Sequence, residues 1–341
     1  MTVSFDNARM MSTPAQHTIE AQAFWVAEPG SGVLRGERVQ APADDEVLVK
    51  ASYSSISRGT ESLVFNGRVP PSEYQRMRAP FQSGDFPGPL KYGYASVGRV
   101  IDGDPSLVGQ RVFCLFPHQS HYTVPASAVI PLPDPVPSER AVLAANLETA
   151  LNGLWDSGAS AGDRVSVVGG GVVGALLAWL GGQLPGAEVT LIDINPERRA
   201  LADALGVNFA LPDQACGDQD VVVHTSASAS GLNTALSLAA FEARVVEMSW
   251  FGAGRPEVAL GEAFHARRLQ LVSSQVGQLP ADRRARWDCR RRLAKAISLL
   301  EDPALDALIS GESPFVELPT VMARLSQGPK DALCHRIRYP D

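Results

Sequence analysis

A glycine-rich segment in the middle of the chain constrains the fold more than any other feature of the sequence. The apolar, β-branched run 165–168 leads directly into the motif Gly169-x-Gly171-x-x-Gly174, and an apolar stretch of helical character follows. A second short apolar run then ends at Asp193, which comes 19 residues after Gly174. Alone, the glycine pattern is weak evidence. The order of strand, glycine turn, helix and strand-ending acid predicts a Rossmann dinucleotide-binding unit.

Each glycine has a physical role in that interpretation. Gly169 permits the tight turn, and Gly171 lets the backbone approach a pyrophosphate. Gly174 allows the helix to lie close against the strand. We expect the pyrophosphate at the helix N-terminus, beside Val172 and Val173, where backbone N–H groups and the helix dipole favour an anion. The alternative is a glycine-rich turn in some other α/β protein.

Asp193 bears on the choice of cofactor. A carboxylate at this position can accept hydrogen bonds from the adenosine ribose hydroxyls, and it would repel the 2′-phosphate of NADP. Arg198 and Arg199 follow closely and could partly compensate that repulsion. NAD is therefore the expected cofactor, with NADP as the alternative.

The chain after about residue 148 alternates short apolar strands with helical stretches. This alternation predicts a doubly wound parallel sheet with crossover helices. Pro196 is expected to open the helix after the second strand, and Gly206 to close it. The predicted strands are 165–168, 189–192, 221–223, 245–248 and 269–272.

The first 145 residues are predicted to be mostly β. Proline and glycine punctuate residues 70–89, which indicates a loop, and four prolines between 131 and 137 indicate a connector. The predicted strands are 46–51, 95–100, 111–115 and 121–124.

Charge and composition limit the classes of partner. The formal net charge is -7, so nothing in the overall field attracts nucleic acid or an acidic membrane, and small molecules are the expected ligands. Residues 1–16 are polar and are expected to form a loose tail rather than a signal peptide. No run approaches the about 20 apolar residues of a membrane span, so a cytoplasmic protein is expected.

A basic helix is predicted after residue 284, with a buried stripe and a solvated outer face. Cys289, Leu293, Ala296, Ile297 and Leu300 have the helical spacing of the stripe. The four cysteines are far apart, and buried reduced thiols are the simplest interpretation. The basic residues assigned to the solvated face are Arg283, Arg284, Arg286, Arg290, Arg291, Arg292 and Lys295.

From about Ala21 to Tyr339 the sequence resembles the medium-chain dehydrogenase/reductase superfamily. The similarity includes the strand 47–50, the turn 108–112, the segment 129–133 and the closing helix 318–325. The resemblance implies a GroES-like, mostly β catalytic domain formed by 1–145 and 285–341, a Rossmann domain formed by 146–284, and an active site in the cleft between them. It also implies a homodimer formed through the Rossmann sheets.

The zinc ligands of that superfamily are missing at their positions. Ser57 stands where a cysteine is expected, Tyr94 and Ala95 replace the histidine and glutamate of a Gly-His-Glu motif, and the third position falls near 145–146. A hydroxyl, a phenol and a methyl group do not form a tetrahedral nitrogen and sulfur site. Other possible ligands (Glu61, Glu148, His118 and His121) lack the spacing. We therefore expect no metal and no zinc.

A metal-free site needs another group to neutralise the oxyanion that hydride transfer creates. Tyr94 is the candidate acid by position, although it could instead fill the vacated metal cavity as a packing residue. Ser57 and Thr60 are further hydrogen-bond donors, and Glu61 could orient one of them.

The resemblance also indicates contacts to the nicotinamide half of the cofactor. Thr149 matches a position that contacts this half. Ser226, after the fourth strand, and Trp250 and Phe251, after the fifth, should flank the ribose and ring, although packing is a rival role for both aromatic residues.

The sequence thus predicts a zinc-independent oxidoreductase that moves a hydride between NAD and an alcohol or carbonyl substrate. Among zinc-less members, the Ser57–Glu61 and Gly93–Ala95 variants look most similar to the group of bacteriochlorophyllide dehydrogenase. Two alternatives remain: an NADPH-dependent quinone or enone reductase, and an inactive NAD(H)-binding redox sensor.

Overall fold

The computed structural model describes residues 18–328 and 331–340. The predicted tail 1–16 lies outside these residues. The described chain combines antiparallel and mixed sheets with a parallel sheet flanked by helices, which confirms the predicted fold class.

The strands of the described chain are numbered in order. They are β1 (Thr18–Glu28), β2 (Ser31–Gln40), β3 (Glu46–Ile56), β4 (Ser83–Gly84), β5 (Leu90–Lys91), β6 (Ser96–Gly103), β7 (Arg111–Cys114), β8 (His121–Pro125), β9 (Val129–Pro131), β10 (Arg164–Val168), β11 (Glu188–Ile192), β12 (Asn208–Ala210), β13 (Gln219–His224), β14 (Ala239–Glu247), β15 (Gln270–Ser273), β16 (Ile309–Pro314) and β17 (Cys334–Arg338).

The helices are numbered in the same way. They are α1 (Arg58–Phe65), α2 (Ser138–Ala141), α3 (Ala144–Ser157), α4 (Val172–Gly182), α5 (Arg198–Ala204), α6 (Ala229–Leu238), α7 (Cys289–Leu299) and α8 (Leu318–Leu325). Short 3-10 segments cover Pro71–Glu73, Ala126–Ala128, Pro303–Leu308 and Phe315–Glu317, and a π-helical turn covers Leu260–Phe264.

The long strand β3 organises the β-rich part of the molecule. It pairs antiparallel with β6, β8 and β17, so the last strand of the chain returns to the first half. Its residues are largely buried, and β-branched and aromatic neighbours from both sides enclose them. This arrangement fixes the end of β3, and therefore the start of α1, against the body of the domain.

The parallel sheet has the strand order β12-β11-β10-β13-β14-β15, and its central strands are buried on both faces. Strands β11 and β12 lie on one side of β10, and β13, β14 and β15 lie on the other. The crevice where ligands of such sheets bind forms at this change of side, between β10 and β13. Helices α3 and α4 pack together over the sheet, and α7 packs on α3. The predicted domain bounds at 145 and 285 stay predictions.

The basic helix is predicted to follow residue 284, whereas α7 begins only at Cys289, and two of its residues are predicted in the wrong environment. Arg292, predicted to be solvated, is 1% exposed, and Cys289, predicted to be buried, is exposed at the helix start. The reason is that α3 presents a buried acid, Glu148, to the helix face that carries Arg292, and the two side chains form an ion pair of 3.0 Å. Cys216 is also exposed, so the thiol prediction is right only for Cys114 and Cys334.

The helix after β11 starts later than predicted. Pro196 lies in the turn before α5, which begins at Arg198, whereas Gly206 follows the helix with a φ of 69°. None of the helices in the described ranges is long and apolar enough to cross a lipid bilayer.

Candidate functional site

A cavity of about 530 Å³ opens at the carboxyl ends of the parallel strands, at the reversal between β10 and β13. The glycine segment forms one wall, and the ends of β11 and β13 form the others. Its lining includes Arg58, Gly169, Gly171, Asp193, Arg198 and Ser226. A crevice at this position of a doubly wound sheet is suited to a dinucleotide.

The glycines of the loop are required for two different reasons. A Cβ on Gly169 would lie 2.7 Å from the backbone nitrogen of Ser226, and the residue has a φ of 118°. A Cβ on Gly174 would lie 2.0 Å from the carbonyl oxygen of Gly169, so α4 approaches the loop too closely for any side chain. A Cβ on Gly171, in contrast, would meet no atom within 4 Å. Gly171 therefore leaves room for something other than the protein.

Asp193 is held rigidly at the mouth of this cavity. Its Oδ2 accepts a hydrogen bond of 2.6 Å from the Gly170 N–H, and its Oδ1 accepts one of 2.8 Å from the Asn195 N–H. Each carboxylate oxygen has a second lone pair, so both can accept a further hydrogen bond from a ligand. The predicted contact to ribose hydroxyls is compatible with this geometry, and the carboxylate cannot turn away without losing both backbone bonds.

Arg58, the first residue of α1, reaches into the same cavity from the β-rich part of the molecule. Burial, followed by the nearby charge of Arg198, lowers the pKa of Arg58, while Asp193 and Asp331 act in the opposite direction. Arg198 lies against Gly170, and its guanidinium donates to the Ala332 carbonyl at 3.4 Å. Arg58 and Arg198 therefore bring two positive charges to the cavity, and the Asp193 and Asp331 carboxylates near Arg58 offset them.

Three of the predicted nicotinamide contacts, Thr149, Trp250 and Phe251, lie away from this lining. Thr149 is within α3 and donates to the Ala145 carbonyl at 2.9 Å. Trp250 is half-buried against the core of the β-rich domain, and Phe251 stacks on His224 with 6.3 Å between ring centroids. Of these predicted contacts, Ser226 is the one that lines the cavity.

Tyr94, Ser57 and Thr60 come together at the start of α1. The phenol of Tyr94 forms hydrogen bonds with the hydroxyls of Ser57 and Thr60. Burial, followed by the charge of Glu61, raises the pKa of Tyr94 to about 12, and the two hydroxyls oppose that rise. Because Ser57 directly precedes Arg58, this cluster adjoins the cavity.

Glu61 supports the cluster from behind, as part of a buried network that the sequence did not reveal. Its Oε1 accepts a hydrogen bond of 2.7 Å from the Ser57 N–H, and its Oε2 lies 2.9 Å from His118 Nε2. His118 Nδ1 lies 2.7 Å from the Ser54 hydroxyl, which lies 3.1 Å from the Tyr339 hydroxyl. All of these side chains except Ser57 are less than 4% exposed. The network locks the backbone of Ser57, and so orients the start of α1.

The donor chemistry of this region does not match a zinc site. Glu61 and His118 bind each other, Glu148 pairs with Arg292, and Ala95 is a buried methyl group. Within residues 18–328 and 331–340, no group of three or more His, Cys, Asp or Glu side chains is arranged to hold a metal ion. Zinc independence stays a prediction.

Comparison with known proteins reveals sequence similarity to several dehydrogenases, although no family model matches the chain. It is 27% identical over 225 residues to 2-dehydro-3-deoxy-L-galactonate 5-dehydrogenase of Pseudoalteromonas atlantica, covering 62% of each chain. It is 28% identical over 209 residues to 2-desacetyl-2-hydroxyethyl bacteriochlorophyllide A dehydrogenase of Cereibacter sphaeroides, covering 53% of this chain and 59% of the relative. These alignments span about three fifths of the relatives' length. A zinc-type alcohol dehydrogenase-like protein of Haemophilus influenzae is 26% identical over 92% of this chain and 97% of its own.

Solved structures show the same fold at low sequence identity. L-idonate 5-dehydrogenase of Escherichia coli superimposes with a TM-score of 0.78 at 18% identity, covering 94% of this chain and 99% of that one. An alcohol dehydrogenase of Escherichia coli complexed with NADH and a dehydrogenase of Sinorhizobium meliloti bound to NADP each give 0.74, at 17% and 19% identity and the same coverage. At this level of identity the likeness establishes the fold alone.

Proposed function

We propose that this chain, a member of the medium-chain dehydrogenase/reductase superfamily, is a nicotinamide-dependent oxidoreductase that acts on an alcohol and its carbonyl counterpart. The observation that carries the proposal is the cavity in which the glycine loop, the N-terminus of α4 and Asp193 meet. The similarity to relatives named as dehydrogenases supports it.

Different residues of the chain are proposed to bind different parts of the cofactor. The N-terminus of α4, with Arg58 facing it, complements the negative pyrophosphate, and Asp193 accepts from the adenosine ribose. Because Asp193 is held by two backbone N–H groups, its charge stays where a 2′-phosphate would lie. NAD is therefore the proposed cofactor.

Tyr94 is the proposed acid. The bound nicotinamide ring supplies or accepts the hydride. When a carbonyl is reduced, the Tyr94 hydroxyl donates a hydrogen bond and then a proton to the substrate oxygen, with Ser57 and Thr60 stabilising the phenolate left behind. A pKa of about 12 keeps the phenol protonated at neutral pH, so Tyr94 carries the proton that reduction of a carbonyl requires.

The reaction is proposed to need no zinc. Ser57, Tyr94 and Ala95 occupy the places of metal ligands, and the adjacent Glu61 and His118 satisfy one another. Both ring nitrogens of His118 are already hydrogen-bonded, Nε2 to Glu61 and Nδ1 to Ser54, so the imidazole would have to give up one of these bonds to bind an ion.

A second candidate function is reduction of an activated C=C bond with NADPH. The observation that favours it is the pair Arg58 and Arg198, which brings two positive charges to the edge of the Asp193 pocket. A 2′-phosphate could then bind a guanidinium group despite the neighbouring carboxylate.

A fluorescence titration with NADH and NADPH in one buffer, followed by turnover assays, separates these functions. Tighter binding of NADH, with turnover of alcohols or carbonyls, is the expected result. Tighter binding of NADPH with turnover of quinones or enones would replace the first function by the second. Binding of NADH without turnover on any panel would indicate a redox sensor, and binding of neither would overturn the proposal.

A homodimer and a cytoplasmic location complete the proposal. Strand β15 pairs with β14 on one side, and within the described ranges no strand pairs with its other side. Leu271 on this edge is 37% exposed. An open edge strand with an exposed leucine is suited to pairing with a second copy of the chain.

A further inference from the structure

A second buried polar network, which the Tyr94 cluster does not use, lies under the floor of the cavity. His224 is the last residue of β13 and Glu247 the last of β14, and the two are register partners in the parallel sheet. His224 Nδ1 lies 2.6 Å from Glu247 Oε2, and His224 Nε2 lies 2.6 Å from the Ser226 hydroxyl. The imidazole is fully buried, the Glu247 side chain is 16% exposed, and Ser226 is exposed in the cavity wall.

The proton positions in this network follow from its donors and acceptors. An ionised carboxylate can only accept, so the neutral imidazole carries its proton on Nδ1 and leaves Nε2 as an acceptor. The Ser226 hydroxyl must then donate its hydrogen to Nε2. Ser228, whose oxygen accepts from the Gly231 N–H at 3.0 Å, can donate to Ser226 at 2.9 Å. One lone pair on Ser226 Oγ remains to face the cavity, as an acceptor.

The surrounding backbone is built tightly around this arrangement. The Ser249 N–H donates to the other oxygen of Glu247 at 2.6 Å, and the Ala227 N–H donates to the Ser249 hydroxyl at 3.0 Å. Ala227 has a φ of 53°, a conformation that is strained for any residue with a side chain. A Cβ on Gly231 would lie 2.1 Å from Ser226 Oγ. A buried pair of polar side chains is often no more stabilising than two apolar side chains of similar size. Stability alone therefore does not explain the contact between His224 and Glu247.

We propose that Glu247 and His224 are positioning residues that fix Ser226 as a hydrogen-bond acceptor for a hydroxyl of the nicotinamide ribose. This inference rests on the proposed function. The position of Ser226 in the sheet indicates which ribose it would contact. Asp193 follows β11, on the adenosine side of the crevice. Ser226 follows β13, in the half of a doubly wound sheet that receives the other nucleotide. Ribose hydroxyls can donate as well as accept, so a fixed acceptor on the protein orients them.

Calorimetric titrations of the full chain with NADH and with ADP, which lacks the nicotinamide ribose, test this assignment. Ser226→Ala should weaken NADH binding about fivefold, the usual consequence of losing one hydrogen bond, and leave ADP binding unchanged. Glu247→Gln keeps the shape of the side chain but no longer fixes the proton on Nδ1, so it should weaken NADH by a similar factor. Ser237→Ala, an exposed position at the other end of α6, is the matched control and should change neither ligand.

The double variant distinguishes positioning from a general loosening of the pocket. If Glu247 acts through Ser226, then Ser226→Ala with Glu247→Gln binds NADH no more weakly than Ser226→Ala alone. Additive losses, equal losses of NADH and ADP, or unchanged NADH binding in Ser226→Ala would each overturn the assignment. Failure of the proposed function looks different, because the unaltered chain would then bind neither NADH nor NADPH, and this inference would fall with it.

Discussion

At the scale of single residues, the most consequential side chain is Tyr94. Its phenol is held by two hydroxyls, and burial beside the charge of Glu61 raises its pKa to about 12. A group with a raised pKa binds its proton below that value and releases it only as the pH approaches it. Tyr94 is thus protonated throughout the neutral range, as its proposed role as a proton donor requires.

Replacing Tyr94 by phenylalanine tests this role. We expect kcat for carbonyl reduction to fall about 10²- to 10⁴-fold in Tyr94→Phe, the usual contribution of a positioned acid, with an unchanged dissociation constant for NADH. In the unaltered enzyme, kcat should stay flat from about pH 6 to pH 9, because Tyr94 keeps its proton over that range. Tyr53→Phe, which removes the hydroxyl of an outer tyrosine that bonds Glu139, is the control. Normal turnover in Tyr94→Phe would assign Tyr94 to packing.

Local signals in the sequence predict one half of the candidate site and do not predict the other. The glycine loop and Asp193 lie within one stretch of chain, so the spacing of their residues was enough to predict them. Tyr94 and Ser57 are predicted from their positions in a family pattern. Arg58, His118 and Tyr339 contact residues that are far away in the sequence; Ser54 and Tyr339, for example, are 285 residues apart. The spacing of residues along the chain cannot predict such contacts.

At the scale of secondary-structure elements, substitutions at two glycines beside the start of α4 are expected to affect thermal stability and cofactor binding differently. Gly174→Ala should lower both, because the added methyl group would lie 2.0 Å from the Gly169 carbonyl oxygen and α4 would have to move. Gly171→Ala should leave the melting temperature unchanged, since its methyl group would meet no protein atom within 4 Å, and should weaken NADH binding about tenfold or more by occupying the path of the pyrophosphate. Thermal unfolding and NADH titration of both variants check this contrast; a destabilised Gly171→Ala would contradict it.

An ion pair between Arg292 of α7 and Glu148 of α3 joins the two helices, although the helical pattern predicts that Arg292 faces solvent. The pattern of apolar residues predicted the helix itself, but Arg292 lies between stripe and surface, and its burial depends on Glu148 in another helix. The charge count of α7 thus did not indicate which arginine would be buried.

Removing only one member of this pair should be costly. Arg292→Met leaves the buried Glu148 carboxylate without its cation, and we expect a loss of about 3–5 kcal/mol in the free energy of unfolding. Lys295→Met, an exposed position on the same helix, should change it by less than about 0.5 kcal/mol. Adding Glu148→Gln to Arg292→Met should recover part of the loss in denaturant unfolding; a double variant less stable than the single one would contradict the pairing.

At the scale of the whole molecule, the parallel sheet ends in the open strand β15. If this edge joins two copies, Leu271→Lys should convert a dimer into a monomer, because each copy would then place a positive charge within the joined edge. Light scattering after size-exclusion chromatography measures the mass directly. Val316→Lys, an exposed apolar position far from the edge, should leave the mass unchanged. A monomeric unaltered protein would remove the dimer from the proposal.

The return of β17 to β3 has a consequence for biosynthesis. A ribosome releases β3 early, but the neighbouring strand β17, and the Tyr339 hydroxyl that meets Ser54, emerge only after the whole parallel sheet, 285 residues behind Ser54 in the case of Tyr339. The parallel sheet leaves the ribosome complete before then, so it can fold while the β-rich domain is still waiting for its final strand. A nascent chain can therefore form its nucleotide crevice before the buried network behind Ser57 and Tyr94 is complete, so the order of synthesis separates the assembly of the two halves of the candidate site.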